Sequence, residues 1–526
     1  MKKKITALML CAFMIFIITA CEKVDNEVVE PNPEKKQEVV VDTKAEVEVE
    51  TIKLIAGEGH REMDYEDTYT TVISTSYPTV LLYYGDEEKF PALQKALEKS
   101  NEETREYQLE FLEENAETAK EFFDMDDEYF YPFESSVIPA VRRADTLITG
   151  ILYEGFTYTG GVRGDTYYYG ENYDTKTGKV LSLFDVTEDT SLLYDAVYDQ
   201  LLKFYGEYTT FEYEDVAEAL EEEELYSWTL DYNGITFYFL PYTFGAGYGT
   251  QIVTVSEAEY PGIIKEAFNK TPESYGVKLI NSVPFYYDVT GDGCVDEVIF
   301  SGYENDYEGN SGNISFYING EVFDEEVWTY GMEGTFVHTK DGKNYIYVEL
   351  CFENDYRQTK VYELSDEVRY MGEIDGSLRR IYHESEDYII TQDALTNPES
   401  FYLQQTTQHL STVTGYKLYY ASENGMPVSN DKFFVFDEEA TFTFTLISEL
   451  TADVIDMKTG EITGTKTLKA GDEVLYIATD NENLGCLRCS DGDVILVETG
   501  YDYENYFRTI KGVDINEIFD GMMYAG

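Results

Sequence analysis

Basic residues are scarce in this chain. Only 38 Lys and Arg stand against 103 Asp and Glu, for a formal charge of −65. Binding to phosphates draws on cationic patches, so this balance excludes nucleic acid and anionic headgroups as main partners. It favours basic proteins or divalent cations, and it equally suits a plain solvated surface. Histidine is scarcer still. His60, His338, His383 and His409 are scattered, which leaves no metal centre built from an Asp and two close histidines. Of six cysteines, Cys11 and Cys21 lie in the leader, and Cys294 and Cys351 are far apart. Cys486 and Cys489 sit on a strand-like run with their side chains on opposite faces. A zinc site lacks its second pair, one disulfide remains open, and a disulfide framework is not supported. No serine occupies a nucleophile elbow. Gly245, Gly247 and Gly249 lie between strand-like runs, not at the helix start that a phosphate loop requires.

Long apolar runs are also missing, with one exception at the start. Lys2, Lys3 and Lys4 precede an apolar stretch from Ile5 to Ala20, too short for a comfortable membrane span. It ends in Ile18-Thr19-Ala20-Cys21, which resembles the lipobox of bacterial lipoproteins. The resemblance implies cleavage before Cys21 and acylation of its thiol. Residues 1–21 are therefore expected to be a signal peptide, and the mature chain to be lipid-anchored on the extracellular face of a bacterial cell membrane. Residues 22–62, with "EVVEPNPEKKQEVVVDTKAEVEVE" at their centre, are too polar to offset their ordering entropy. They read as a disordered acidic tether.

From residue 63 to 270 the pattern mixes periods of two and three to four. "YEDTYTTVISTSYPTVLLYYG" alternates like a strand, and Leu109, Leu112, Ala116, Ala119 and Phe123 follow helical spacing within Phe90–Phe123. Further helices are expected over Ser191–Tyr205, from Glu214 to about Leu225, and in "EYPGIIKEAFNK". Asp174–Lys179 carries hairpin-turn chemistry. The fold class expected here is an α+β N-terminal module, antiparallel sheets with packed helices, followed by all-β domains. Residues 271–435 read as an all-β region, and residues 436–526 resemble a bacterial SH3-like barrel through "LKAGDEV" and "DGDVILV".

The loop "DVTGDGCVD" sets oxygen ligands at alternate positions: Asp288, Thr290, Asp292 and Asp296, with the backbone carbonyl of Cys294 between the last two. Gly293 allows the sharp turn. The spacing resembles the loops of calcium-binding β-repeat proteins and suggests a structural calcium ion; an Asp/Gly-rich hairpin with a solvated tip reads the same way.

Three stretches carry a further resemblance: "TSYPTV" at 75–80, "TGGVRGDTYYYGENYDTKTGKVLSL" at 159–183 and "YSWTLDYNGITFYFLPYTFGAGYG" at 226–249. Together they resemble the paired extracellular domains of RsiV-type anti-sigma factors and PdaC-type peptidoglycan deacetylases. The resemblance implies a non-catalytic module of the cell envelope, which in RsiV-type members binds lysozyme. It points to Gly160, Gly161, Arg163 and Tyr242 as ligand-binding residues. Arg163 stands where family members often carry a histidine, so a role tied to that imidazole does not transfer. With a cleaved leader expected at the start and the histidines scattered, neither sigma-factor binding nor deacetylation is expected to transfer. The expected function is binding of a cationic protein, including lysozyme-like hydrolases, or of peptidoglycan. A scaffolding lipoprotein and a carboxylate-based enzyme acting on wall polymers, using acids such as those of "EALEEEELYSW", stand as alternatives.

Overall fold

The computed structural model describes residues 48–524 except 67, 126–128, 207–210, 245–248, 305–311, 354–355, 366, 379, 385–388 and 503–506. The expected signal peptide, Cys21 and most of the expected tether lie outside the described residues.

The N-terminal module is built from β1 (Leu54–Asp64), β2 (Thr71–Leu82), α1 (Pro91–Met125), β3 (Phe133–Ala144), β4 (Ile148–Tyr158) and β5 (Asp165–Asp174). After a one-turn helix α2 (Leu183–Val186) come α3 (Thr190–Tyr205), α4 (Tyr213–Glu221), β6 (Tyr226–Leu230), β7 (Gly234–Phe239) and β8 (Gln251–Ser256). Strands β1 to β5 are neighbours in one sheet, and β6 to β8 form a second, three-stranded one.

Helix α1 forms because Leu93, Leu97, Gln108, Leu112, Ala116 and Ala119 fall on one buried stripe while glutamates take the solvent side. Its polar side chains also complete the sheet. Strand β2 pairs in parallel with β3 only over Ile73–Ser76. Beyond that point, Asn101 Oδ1 accepts the Val80 N–H at 3.0 Å and Gln94 Oε1 accepts that of Leu82 at 3.0 Å. Two buried backbone donors that lack a strand partner are thereby satisfied.

Residues 259–270, expected to be helical, instead form turns. Pro261 and Gly262 (φ +90°) break the run, and the Glu257 carboxylate accepts the N–H groups of Gly262 and Ile264. The apolar spacing of Ile263, Ile264 and Phe268 serves packing against the α3–α4 core instead.

Two adjacent arginines fasten the module. On β3, Arg142 Nη2 lies 2.6 Å from Asp231 Oδ2, with both side chains at most 5% exposed. Arg143 Nε lies 2.7 Å from Asp145 and donates from its other nitrogens to the carbonyls of Asp231, Phe268 and Lys270. These contacts tie the large sheet to the β6–β8 unit and to the chain leaving it.

The remainder is all-β among the described residues. Strands β9 (Tyr275–Lys278), β10 (Phe285–Tyr287), β11 (Asp296–Glu304), β12 (Gly312–Ile318), β13 (Glu321–Val327), β14 (Gly331–His338), β15 (Asn344–Cys351), β16 (Arg357–Leu364) and β17 (Val368–Asp375) make a four-stranded and a five-stranded sheet. Their facing sides bury Phe300, Phe316, Phe336, Ile346 and Tyr362. Strands β18 (Ile381–Glu384) and β19 (Ile389–Asp393) then return to the first sheet, where β19 pairs with β1. From β20 (Phe401–Gln408) onward the chain forms a thirteen-stranded sheet that reaches Asp520. Strands from either side of residues 270 and 435, the expected boundaries, thus share sheets.

The tether expectation needs correction at its end. Residues 54–62 belong to β1, paired along its length with β2 and over Ile55–Glu58 with β19. Ile52, Leu54 and Ile55 are buried. A sparse local apolar pattern concealed a strand that is stabilised by partners on both sides.

Candidate functional site

One end of the large sheet gathers the residues that the sequence singles out. Antiparallel and parallel registers bring together the β1–β2 turn, the start of β3, the end of β4 and the start of β5. The C-terminus of α1 arrives at the same end, since it leads into β3. Between β4 and β5, the loop Thr159–Gly164 projects outward.

Gly160 is required there by both backbone and space. Its φ is +77°, and a Cβ would stand 2.7 Å from Phe122 and 2.8 Å from Phe133. The Tyr158 hydroxyl donates to the Gly161 carbonyl at 3.2 Å. At the tip, Arg163 Nη2 donates to the Tyr242 hydroxyl at 2.8 Å, across 79 positions of sequence. Tyr242 itself holds a φ of +74°, uncommon for a residue with a side chain. The four ligand-binding residues expected from sequence therefore meet through one glycine-seated loop and one hydrogen bond.

Around them the structure adds residues that sequence reasoning missed. Tyr69, Met125, Tyr129, Tyr131 and Val162 are all more than 70% exposed, and Phe122 and Tyr242 are partly so. Scattered exposed hydrophobes are ordinary, but a group of large apolar side chains at one end of a sheet is the composition of a contact surface. They lie in connecting loops or in the last turn of α1, where periodicity does not report the face a side chain takes, so no pattern in the sequence marks the group.

The expected calcium loop is folded by its own backbone. Asp288 accepts the N–H groups of Gly291, Asp292 and Gly293, and Asp292 accepts that of Cys294. Asp296 is buried and accepts from the N–H groups of Val289 and Thr290 and from the Asn319 amide. The Thr290 hydroxyl is buried without a partner. Among the described residues, no group of three or more His, Cys, Asp or Glu converges in a metal-holding arrangement. The carboxylates are engaged by amides and do not converge on one point as folded, although each keeps lone pairs that a cation could use.

A cavity of about 590 Å³ opens between the large sheet and the five-stranded sheet. Glu58 of β1, Ile138 of β3 and Glu154 of β4 line one side; Lys278, Glu333 and Arg357 line the other. The two bases are already paired, Lys278 with Glu333 and Arg357 with Glu349 at 2.8 Å. Burial raises the pKa of Glu58, partly offset by His60, and burial raises that of Glu154 against the hydrogen bond from Tyr168.

The free cysteines follow expectation in part. Cys486 and Cys489 are buried on opposite faces of their strand, and none of Cys294, Cys351, Cys486 and Cys489 is in a disulfide. No helix of the described residues is long and apolar enough to cross a membrane.

No protein-family model and no curated protein matches this chain. Solved structures do. A DUF3298 family protein of Pseudomonas aeruginosa PAO1 is 16% identical, covers 43% of this chain and 98% of its own length, and superposes with a TM-score of 0.28. A member of the same family from Bacteroides fragilis NCTC 9343 is 16% identical over 42% of this chain and 94% of its own, with a TM-score of 0.30. The structural neighbours are thus DUF3298 family proteins, alike at low identity over part of the chain.

Proposed function

We propose that this chain is a lipid-anchored extracellular lipoprotein whose N-terminal module is a non-catalytic receptor for a cationic cell-wall-associated protein of the lysozyme class. The observation that carries the reading is the Arg163–Tyr242 contact, made at the end of the sheet where large side chains are exposed. Exposed Tyr and Phe rings supply contact area at low entropic cost. The acid excess of the chain attracts a basic partner from a distance and speeds encounter. The lipobox ending in Cys21 supplies the anchor.

The test is retention of a cationic muramidase by the full chain at physiological salt, compared with Tyr242→Ala, Arg163→Ala and a charge-matched acidic protein. Retention by the wild type alone, with at least a tenfold loss in Tyr242→Ala, supports the reading. Equal retention by all four leaves only bulk charge and removes the specific claim. Calcium at residues 288–296 belongs to this reading as a structural ion, held through the carboxylate lone pairs that the amides leave free. Thermal unfolding with calcium against a chelator decides whether it binds.

A further inference from the structure

The cavity between the two sheets has a composition that the receptor reading does not use. It holds about 590 Å³, within the range of small-molecule sites. Its walls are largely apolar, with Ile138, Leu279, Phe300 and Met332 among them. Five carboxylates line it, Glu58, Glu154, Glu333, Glu349 and Asp393, against two long-chain bases, Lys278 and Arg357. Both bases are paired with acids of the same wall, so the cavity keeps a surplus of negative charge.

Glu58 and Glu154 carry that surplus toward the large sheet. Neither makes an ion pair with Lys or Arg among the described residues; Glu58 faces His60 and Ser76, and Glu154 accepts from Tyr168 at 3.1 Å. They stand on β1 and β4, which are separated in the sheet by β2 and β3. Strand β2 pairs with β3 only as far as Ser76, so at least three strand spacings, roughly 14 Å or more, separate their backbones. Ile138, the cross-strand partner of Glu154, lies on the floor between and is 46% exposed. A ligand complementary to this arrangement has a positive charge at each end and an aliphatic stem of several carbons.

We propose that this cavity binds a linear aliphatic diamine or polyamine, with one terminal ammonium at Glu154, the other at Glu58, and the stem along Ile138 and Met332. Burial disfavours both carboxylates as lone anions, and an incoming ammonium removes that penalty by pairing. A monoamine satisfies one end only, and a neutral diol satisfies neither, so affinity should rank with the number of ammonium ends. The site stands apart from the aromatic end of the sheet, and its fate does not depend on the receptor reading.

Isothermal titration of the full chain with 1,8-diaminooctane tests this, against 1-aminooctane, 1,8-octanediol and magnesium chloride at matched ionic strength. The expected result is one saturable site per chain for the diamine, at least tenfold weaker binding of the monoamine and none of the diol. Glu154→Gln and Glu58→Gln should each weaken the diamine at least tenfold, whereas Glu113→Gln with Glu114→Gln, on the exposed face of α1, should not. Ile138→Trp fills the cavity from a position with room for a larger side chain and should also abolish binding, which keeps the test open if a Gln variant fails to fold. Non-saturable binding, displacement by magnesium alone, or equal weakening by the α1 variant overturns the proposal.

Discussion

Replacing Arg142 with Met should be among the most damaging single changes in the N-terminal module. The guanidinium meets Asp231 through two contacts, at 2.6 and 3.4 Å, lies over the Phe285 ring at 5.0 Å, and is almost fully buried. Methionine fills much of the same volume, so packing is largely kept. What remains is an anionic Asp231 that is 2% exposed and has the Thr236 hydroxyl, at 2.8 Å, as its other side-chain donor. Breaking a buried pair from one side costs about 3–5 kcal/mol, because the surviving charge has lost both water and partner. For a unit of roughly 200 residues, that corresponds to a fall in Tm of about 6–20 °C. Trp228 sits three residues before Asp231 on β6 and reports this region. With Trp328→Phe as background, urea unfolding followed by fluorescence isolates its transition. Adding Asp231→Asn to Arg142→Met should recover part of the loss, since the orphaned charge is gone. A loss below about 1 kcal/mol, the scale of solvent-exposed ion pairs in general, would show that the pair does not fasten the module.

Gly160→Ala should destabilise the module by about 1–3 kcal/mol, because the added carbon meets two aromatic rings and φ is positive; chemical denaturation measures it. Leu193→Ala, in the wholly buried centre of the α3–α4 core, should cost about 2–5 kcal/mol by the same assay. His409 is buried between Tyr476 and Thr499, and burial first, then Arg508, lowers its pKa to about 4. The unfolded chain takes up this proton near pH 6.5 and the folded one only near 4, so stability is lost as pH falls across that window. His409→Gln should flatten that part of a Tm-against-pH curve, and an unchanged acid limb would refute the assignment. Glu154 has the opposite sign. Its raised pKa penalises the folded state above the ordinary carboxylate range, so Glu154→Gln should raise Tm at pH 7, with the gain closing as the pH is lowered.

Much of the N-terminal module was legible because its signals are local. The α1 stripe from Leu93 to Ala119 and the turn at Asp174–Gly178 depend on neighbours a few residues away. The α+β-then-all-β order follows from the same signals. What escaped depends on distance along the chain. Asn101 and Gln94 look like ordinary helix polar residues until β2 diverges from β3 and needs acceptors for its amides. The stretch 54–62 looks like linker until Asp393 and Leu82 appear on either side of it. At the candidate site, a resemblance picked out Gly160, Gly161, Arg163 and Tyr242, whereas the exposed apolar residues at the same end of the sheet emerge only when its loops are brought together. The alternating oxygens of the 288–296 loop stayed ambiguous for a local reason: spacing that suits a cation serves equally well to cap amides.

The pairing of β1 with β19 has a temporal side. On a ribosome adding about 5–20 residues per second, roughly 335 residues separate the two strands, a delay of about 17–67 s. Throughout that interval, the outer backbone groups of Ile55 to Glu58 have no strand to meet, and such an edge recruits other chains. Nascent protein must therefore be shielded or kept unfolded until about three-quarters of the chain has emerged. Any fragment ending before Ile389 inherits the same open edge permanently, and self-association is its expected fate.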